Sequence, residues 1–312
     1  PRVLADAPGP EHLTQLIGQD DADVGSETIG VNHSRYPSTV TSALFHKGRR
    51  GGNCGGAAGE QANARRLLYP MQPVTQPGRA ALPLAIFDLD NILLGGDSDH
   101  AWGEFLVNKG IVDEAFYRRQ NDHFYELYKQ SKLDIMEYLA FALEPLTRFT
   151  LAELAALHAQ FMAEYINPMR QPKADALLRR HREQGDFLLI ITATNGFVTR
   201  PIAQALGVDD ILATDPEVEG DRYTGRIVGT PCYQEGKVTR LNQWLQQTHH
   251  TLDNSYFYSD SINDLPLLQA VTHPVVVDGD QRLTSAAQQP ANQTGSHPTS
   301  QPTTKATSKP DN

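Results

Sequence analysis

Apolar residues along this chain follow two rhythms. Short continuous runs occur in LAIF (Leu84–Phe87), DFLLIITATN (Asp186–Asn195), DDILAT (Asp209–Thr214), SYFYSDS (Ser255–Ser261) and HPVVVDG (His273–Gly279). Runs this short and this apolar predict strands buried on both faces. Between them, apolar residues recur every three or four positions. The clearest cases are DHAWGEFLVNKG, DEAFYRRQNDHFYELYKQ, DIMEYLAFALEPL, LAELAALHAQFMAEYI and PKADALLRRHREQG, where Gly185 marks a helix end. VTRPIAQALGV, GKVTRLNQWLQQ and INDLPLLQAV complete the predicted helices. EVEGDRYTGRIVG alternates about a turn and predicts a hairpin.

Strands alternating with helices argue for an α/β fold, a central parallel sheet with helices on both faces. The first two strands are separated by about a hundred residues of helical pattern, too many for one crossover, and this block predicts a lid. The expected organisation is a core of residues 81–96 and 184–286 with a helical cap of 97–183 inserted. Residues 1–80 have neither rhythm and are rich in Gly, Pro, Ser and Thr. They are expected to be disordered, or an upstream stretch outside the native protein, with Met71 just before the first strand. From 287 to 312 the chain reads as a polar disordered tail.

Composition narrows the partners. A formal net charge of −10 argues against non-specific nucleic-acid binding. No apolar run approaches the ~20 residues of a membrane span. Two distant cysteines, Cys54 and Cys232, form neither a disulfide framework nor a metal knuckle, so a cytoplasmic protein is expected, a monomer or homodimer.

The chemistry lies at strand ends, where open α/β sheets bind ligands. Asp88 and Asp90 follow the first strand at positions i and i+2, and so point to one side. Two such carboxylates need a cation between them or a shared proton. ITATN brings Thr192 and Asn195 to a second strand end, and YSDSINDLP brings Asp260 and Asp264 to a third. Asp264 also reads as a helix cap. The oxygen-rich cluster suits Mg²⁺, and hydroxyls beside backbone amides suit a phosphate. Lys237 opens a helix after Gly236, which permits close backbone approach. GTPCYQEGKV lacks the Gly spacing and the following Ser or Thr of a P-loop.

Taken in order, DLDNI, ITATN, EGK and YSDSINDLP resemble the haloacid dehalogenase superfamily of phosphohydrolases over residues 84–280. The helical insertion resembles its C1-type cap. GGDSDHAW, TATN and YSDSINDLPLL resemble subclass IB, its phosphoserine-phosphatase-like and bacterial histidinol-phosphatase-like branch. The resemblance implies a three-layer Rossmann-like core and a Mg²⁺-dependent phosphomonoesterase acting through an aspartyl-phosphate. Asp88 would be the nucleophile and Asp90 the general acid and base. Thr192, Asn195 and Lys237 would hold phosphate. Asp88, the Asp90 main-chain carbonyl and Asp260 would ligate Mg²⁺, with Asp264 in support. Ile92 stands where the superfamily usually carries Thr.

Asp97 and His100, where the cap begins, are expected to face a small phosphomonoester substrate. With Asp99, Glu104 and Trp102 nearby, the cap mouth suits a cationic amine and a flat ring. No Arg matches the one that would hold a substrate carboxylate, so histidinol phosphate, in histidine biosynthesis, is expected above phosphoserine. His123, Phe124, Tyr125 and Tyr128 are expected to pack within the cap, and His249 and His250 to face water. A receiver domain with a phospho-accepting Asp is argued against by the insertion and by Asp90. A binding protein without turnover would have lost a catalytic position, and none is missing. The presence of Asp90 also disfavours a dehalogenase.

Overall fold

The computed structural model of the chain describes residues 82–278 and Leu283. The expectations for residues 1–80 and 287–312 lie outside the described residues. Six strands, β1 (Leu84–Phe87), β2 (Phe187–Asn195), β3 (Asp210–Glu219), β4 (Arg222–Val228), β5 (Tyr256–Ser259) and β6 (His273–Val276), form one sheet ordered β4-β3-β2-β1-β5-β6. All pairs are parallel except β3–β4. The short run DDILAT and the first arm of the hairpin are one strand, not two. Its register with β4 shifts between Pro216 and Val218, because Pro216 has no N–H for the ladder and is tolerated at an irregularity. INDLPLLQAV is also shorter than a full helix. It forms a 3₁₀ turn at Ile262–Asp264 and then α8 (Leu265–Leu268), with Pro266 in the first turn.

The continuous apolar runs of the strands feed two cores, one on each side of the sheet. Leu84, Ile86, Leu189, Ile191 and Phe257 face α7 (Glu235–Thr248), with Leu241 and Trp244, and α8, with Leu267 and Leu268. Ala85, Phe87, Leu188, Ile190 and Tyr258 belong to the larger core on the other face. Each fully buried Leu or Ile there contributes about 1.5–3 kcal/mol.

Between β1 and β2 lie α1 (Ser98–Asn108), α2 (Glu114–Lys129), α3 (Ile135–Leu143), a 3₁₀ turn, α4 (Leu151–Phe161) and α5 (Pro172–Gln184). Their starts are written in the sequence. Asp97, Asp113 and Asp134 cap α1, α2 and α3, and Thr150 with Glu153 forms a capping box on α4. Gly185 ends α5 in the left-handed conformation, at φ 85°. α5 packs on the sheet side, where His181 bonds Tyr258 Oη at 2.8 Å. The insertion is fastened to the core by aromatic contacts. Trp102 on α1 meets Phe161 and also Phe197, which starts α6 (Gly196–Leu206), each edge-on at 5.1 Å. Among the described residues no helix is long and apolar enough to cross a membrane.

Candidate active site

The carboxyl ends of β1, β2 and β5 open into one cavity of about 650 Å³, part of it open to solvent. Asp88, Asp90, Thr192 and Asp260 line its floor, and Asp97, Asp99, His100, Tyr125, Tyr128 and Tyr138 from the helical insertion line the rest.

Asp88 follows β1 directly and is 4% exposed. Lys237 Nζ lies 3.1 Å from its Oδ1. The lysine reaches the floor from the first turn of α7, and Gly236 makes that approach possible: a Cβ there would stand 2.0 Å from the Pro231 carbonyl oxygen. Lys237 is 1% exposed and also bonds both oxygens of Asp264, at 2.7 and 2.9 Å. Ser259 Oγ donates to Asp264 at 2.7 Å. Burial pushes the Asp88 carboxyl well up, Lys237 pulls it down, and Asp264, Asp90 and Asp260 push it up again. Burial lowers the Lys237 ammonium, but Asp264 and Asp88 outweigh it and raise it overall.

Asp90 is held at both oxygens. Ser98 N–H donates to Oδ1 at 2.7 Å and Thr194 Oγ1 donates to Oδ2 at 3.0 Å. Burial, with repulsion from Asp97, raises its carboxyl to about 7. Burial also raises Asp260 to about 6, against a hydrogen bond from Asn91.

The remaining predicted residues divide. Thr192 is on the floor, where its Oγ1 accepts from Thr194 N–H at 3.2 Å. Asn195 is placed differently from expectation. Its Oδ1 accepts from Val198 N–H and caps α6, and the residue is not part of the cavity wall. Asp264 likewise pairs with Lys237, away from the cavity wall, so its carboxylate is already spent on an internal cation. Asp97 lines the cavity, but its Oδ1 is used as the cap of α1, accepting from Asp99 and His100 N–H at 2.9 and 2.8 Å. His100 lines the cavity while its Nε2 bonds Asp122 at 2.9 Å. Ile92 packs into the larger core.

At the cap mouth the structure differs from expectation. Trp102 is buried in the aromatic block, and Glu104 pairs with Arg118; neither lines the cavity. Tyr128 does not stay within the cap. Its carbonyl accepts from Asn263 Nδ2 at 3.0 Å, and its hydroxyl lies 3.4 Å from Ser261 Oγ, so it joins the insertion to the loop after β5. His250 stacks on Trp244 at 5.1 Å and is only half-buried, so it does not simply face water.

Several site residues escaped the motif reading. Thr194 could have been found, since it lies two residues after Thr192 on the same side of the strand. Tyr138, a cavity-lining residue beside Asp99, and Asn263, whose Oδ1 accepts from Tyr233 and Gln234, carry no local signal. Burial raises Asp99 to about 7 and Asp97 to about 6.

The haloacid dehalogenase-like hydrolase family matches residues 85–269, and the chain belongs to that family. Over 210 residues it is 48% identical to a histidinol-phosphatase of Neisseria meningitidis serogroup C, covering 66% of this chain and 95% of that one. A Bordetella pertussis protein of unknown function has a similar crystal structure, with TM-score 0.63 and 46% identity over 67% of this chain and 96% of that one. A phosphoserine phosphatase captured as a phospho-aspartyl intermediate analogue shares the fold, with TM-score 0.52 at 14% identity, covering 67% of this chain and 92% of that one.

Proposed function

We propose that this phosphoric monoester hydrolase dephosphorylates histidinol phosphate, using Mg²⁺ and an aspartyl-phosphate on Asp88. One observation carries the substrate: Asp97 and Asp99 line the cavity, and among the residues lining it there is no Lys or Arg. A substrate carboxylate would meet acids with no cation to pair it. An amine would meet acids lacking an internal counter-ion, and the rings of Phe124, Tyr125, Tyr128 and Tyr138 could flank an imidazole. The identity with the meningococcal histidinol-phosphatase supports the same reading.

Among the described residues no three His, Cys, Asp or Glu side chains group as a metal cage. The donors here are fewer and all hard oxygens: the Asp88 and Asp260 carboxylates, with the Asp90 carbonyl on the same loop. Such a set leaves places for water, which suits Mg²⁺, and a divalent cation would offset the burial and the mutual repulsion that raise these acids. Bound there, it would neutralise charge on the phosphoryl oxygens.

The chain's own groups supply the rest. A carboxylate oxygen of Asp88 attacks phosphorus and the ester P–O bond breaks. Asp90, poised near neutrality, gives its proton to the leaving oxygen. Lys237 favours the ionised form of Asp88 against the burial that raises it and, with Thr192, would hold the phosphoryl oxygens. Water then cleaves the acyl phosphate, and Asp90 takes the water's proton.

The test is kcat/KM for histidinol phosphate and phosphoserine on one preparation, with Mg²⁺ and after chelation. Histidinol phosphate should win by roughly 10²-fold or more, and chelation should abolish turnover until Mg²⁺ is restored. Asp97→Ser keeps a capping oxygen while removing the charge, and it should erode the preference. Faster phosphoserine turnover would sink the substrate assignment and leave the hydrolase class standing.

A further inference from the structure

We infer that Thr194 is a positioning residue that makes Oδ2 the working oxygen of Asp90. The inference rests on the phosphomonoesterase reading above but concerns a residue of the ITATN motif to which that reading gives no role.

The two oxygens of Asp90 have unlike partners. Oδ1 takes a hydrogen bond of 2.7 Å from the main-chain N–H of Ser98, the first residue of α1. An N–H can only donate, and a protonated carboxyl oxygen accepts more weakly than the unprotonated one, so the Ser98 bond is stronger when the proton is on Oδ2. Oδ2 takes a hydrogen bond of 3.0 Å from Thr194 Oγ1. A hydroxyl both donates and accepts, so it can serve Oδ2 in either protonation state. The carboxylate accepts from the Thr194 hydroxyl; the carboxylic acid can lean its proton toward the Thr194 oxygen or release it to a leaving group. The proton that Asp90 transfers therefore belongs on Oδ2.

Thr194 is itself well held. It is 6% exposed, lines the cavity, and its N–H donates to Thr192 Oγ1 at 3.2 Å. In the first half-reaction, Asp88 forms a bond to phosphorus, the P–O bond to the alcohol breaks, and the proton on Oδ2 passes to the alcohol oxygen. Asp90 is left as a carboxylate held by Ser98 N–H and Thr194 O–H. In the second, a water oxygen bonds to phosphorus, the Asp88 O–P bond breaks, and a water proton returns to Oδ2.

The experiment compares wild type, Thr194→Val and Thr194→Ser on two esters. Histidinol phosphate has an alkyl leaving group that needs the proton; 4-nitrophenyl phosphate has a good leaving group that needs it little. Thr194→Val should lower kcat on histidinol phosphate by roughly 10–10²-fold with KM nearly unchanged. The burst of nitrophenol should slow by less than about 3-fold, because that step does not depend on the acid. Thr194→Ser should return kcat to within about 3-fold of wild type. Equal losses on both esters, a Ser variant as poor as Val, or a Val variant as fast as wild type would each overturn the inference. If Thr194→Val does not fold, Thr194→Ala against Thr194→Ser makes the same comparison. Wild type that hydrolyses neither ester would overturn the phosphatase reading, and this inference with it. Wild-type turnover with an indifferent Thr194→Val would overturn this inference alone.

Discussion

The floor and the roof of the cavity are both acidic, but only the floor carries its own cation. Beneath Asp88, Lys237 is shared with Asp264, and Ser259 braces Asp264. There one buried cation is already shared by two of the acids before any ligand arrives. In the roof, Asp97 is hydrogen-bonded as a helix cap and Asp99 lies beside Tyr138, but neither has a Lys or Arg beside it among the cavity-lining residues. Burial raises both carboxyls. The difference separates two tasks. A preorganised floor suits chemistry common to many substrates. A roof short of positive charge suits the selection of a substrate that brings some.

Changes to the floor should have the largest effects. Asp88→Asn should cut turnover by roughly 10⁴-fold or more, because an amide is no nucleophile, and phosphate trapped on the protein after acid quench should vanish. A variant retaining near-normal turnover would end the covalent mechanism. Lys237→Met should cost about 3–5 kcal/mol of stability in denaturant titrations, since it leaves Asp88 and Asp264 buried without their cation. Adding Asp264→Leu should recover part of the stability and none of the activity. If activity returned as well, Lys237 would be a packing group and the contrast between floor and roof would blur.

Changes to the roof should be smaller and selective. Asp99→Asn should lower kcat/KM for histidinol phosphate by roughly 10-fold and leave 4-nitrophenyl phosphate nearly untouched. Equal loss on both would place Asp99 with the floor. The same substitution makes a pH prediction. The folded Asp99 carboxyl is raised from 3.8 to about 7. Its contribution to stability is therefore fully present below pH ~3.8 and is lost as pH rises through about 7. Asp99→Asn should melt above wild type at pH 8, and the gap should close toward pH 4. The smallest effect belongs to the seam between roof and floor. Tyr128→Phe removes only the 3.4 Å hydroxyl contact to Ser261 and keeps the carbonyl contact to Asn263. It should shift KM by less than about 3-fold, and a larger change would mean that the hydroxyl touches substrate.

Much of the fold was legible because its signals are local. Runs such as LAIF and IITATN can be buried only as strands, Asp, Thr and Gly mark helix ends, and polar residues after apolar runs fall at the rim of a parallel sheet. Order along the chain thus identified Asp88, Asp90, Thr192, Lys237 and Asp260 as candidates. Other features depend on groups far apart in sequence. Lys237 and Asp88 are 149 positions apart and Thr194 and Asp90 are 104 apart. Nothing near Asp264 says that its carboxylate is taken by a lysine, or near Asn195 that its amide is spent capping a helix. Trp102 and Asp99 stand three residues apart on one helix, and only packing decided that the first joins the core and the second the cavity. Periodicity and strand-end chemistry are properties of neighbours along the chain, so the sequence by itself determined most of the elements and, through the resemblance of its ordered motifs to a known family, the class of reaction. Pairing, burial and the want of a cation in the roof are sums over residues that meet only when the sheet and the insertion close together, so the tertiary structure alone decided them.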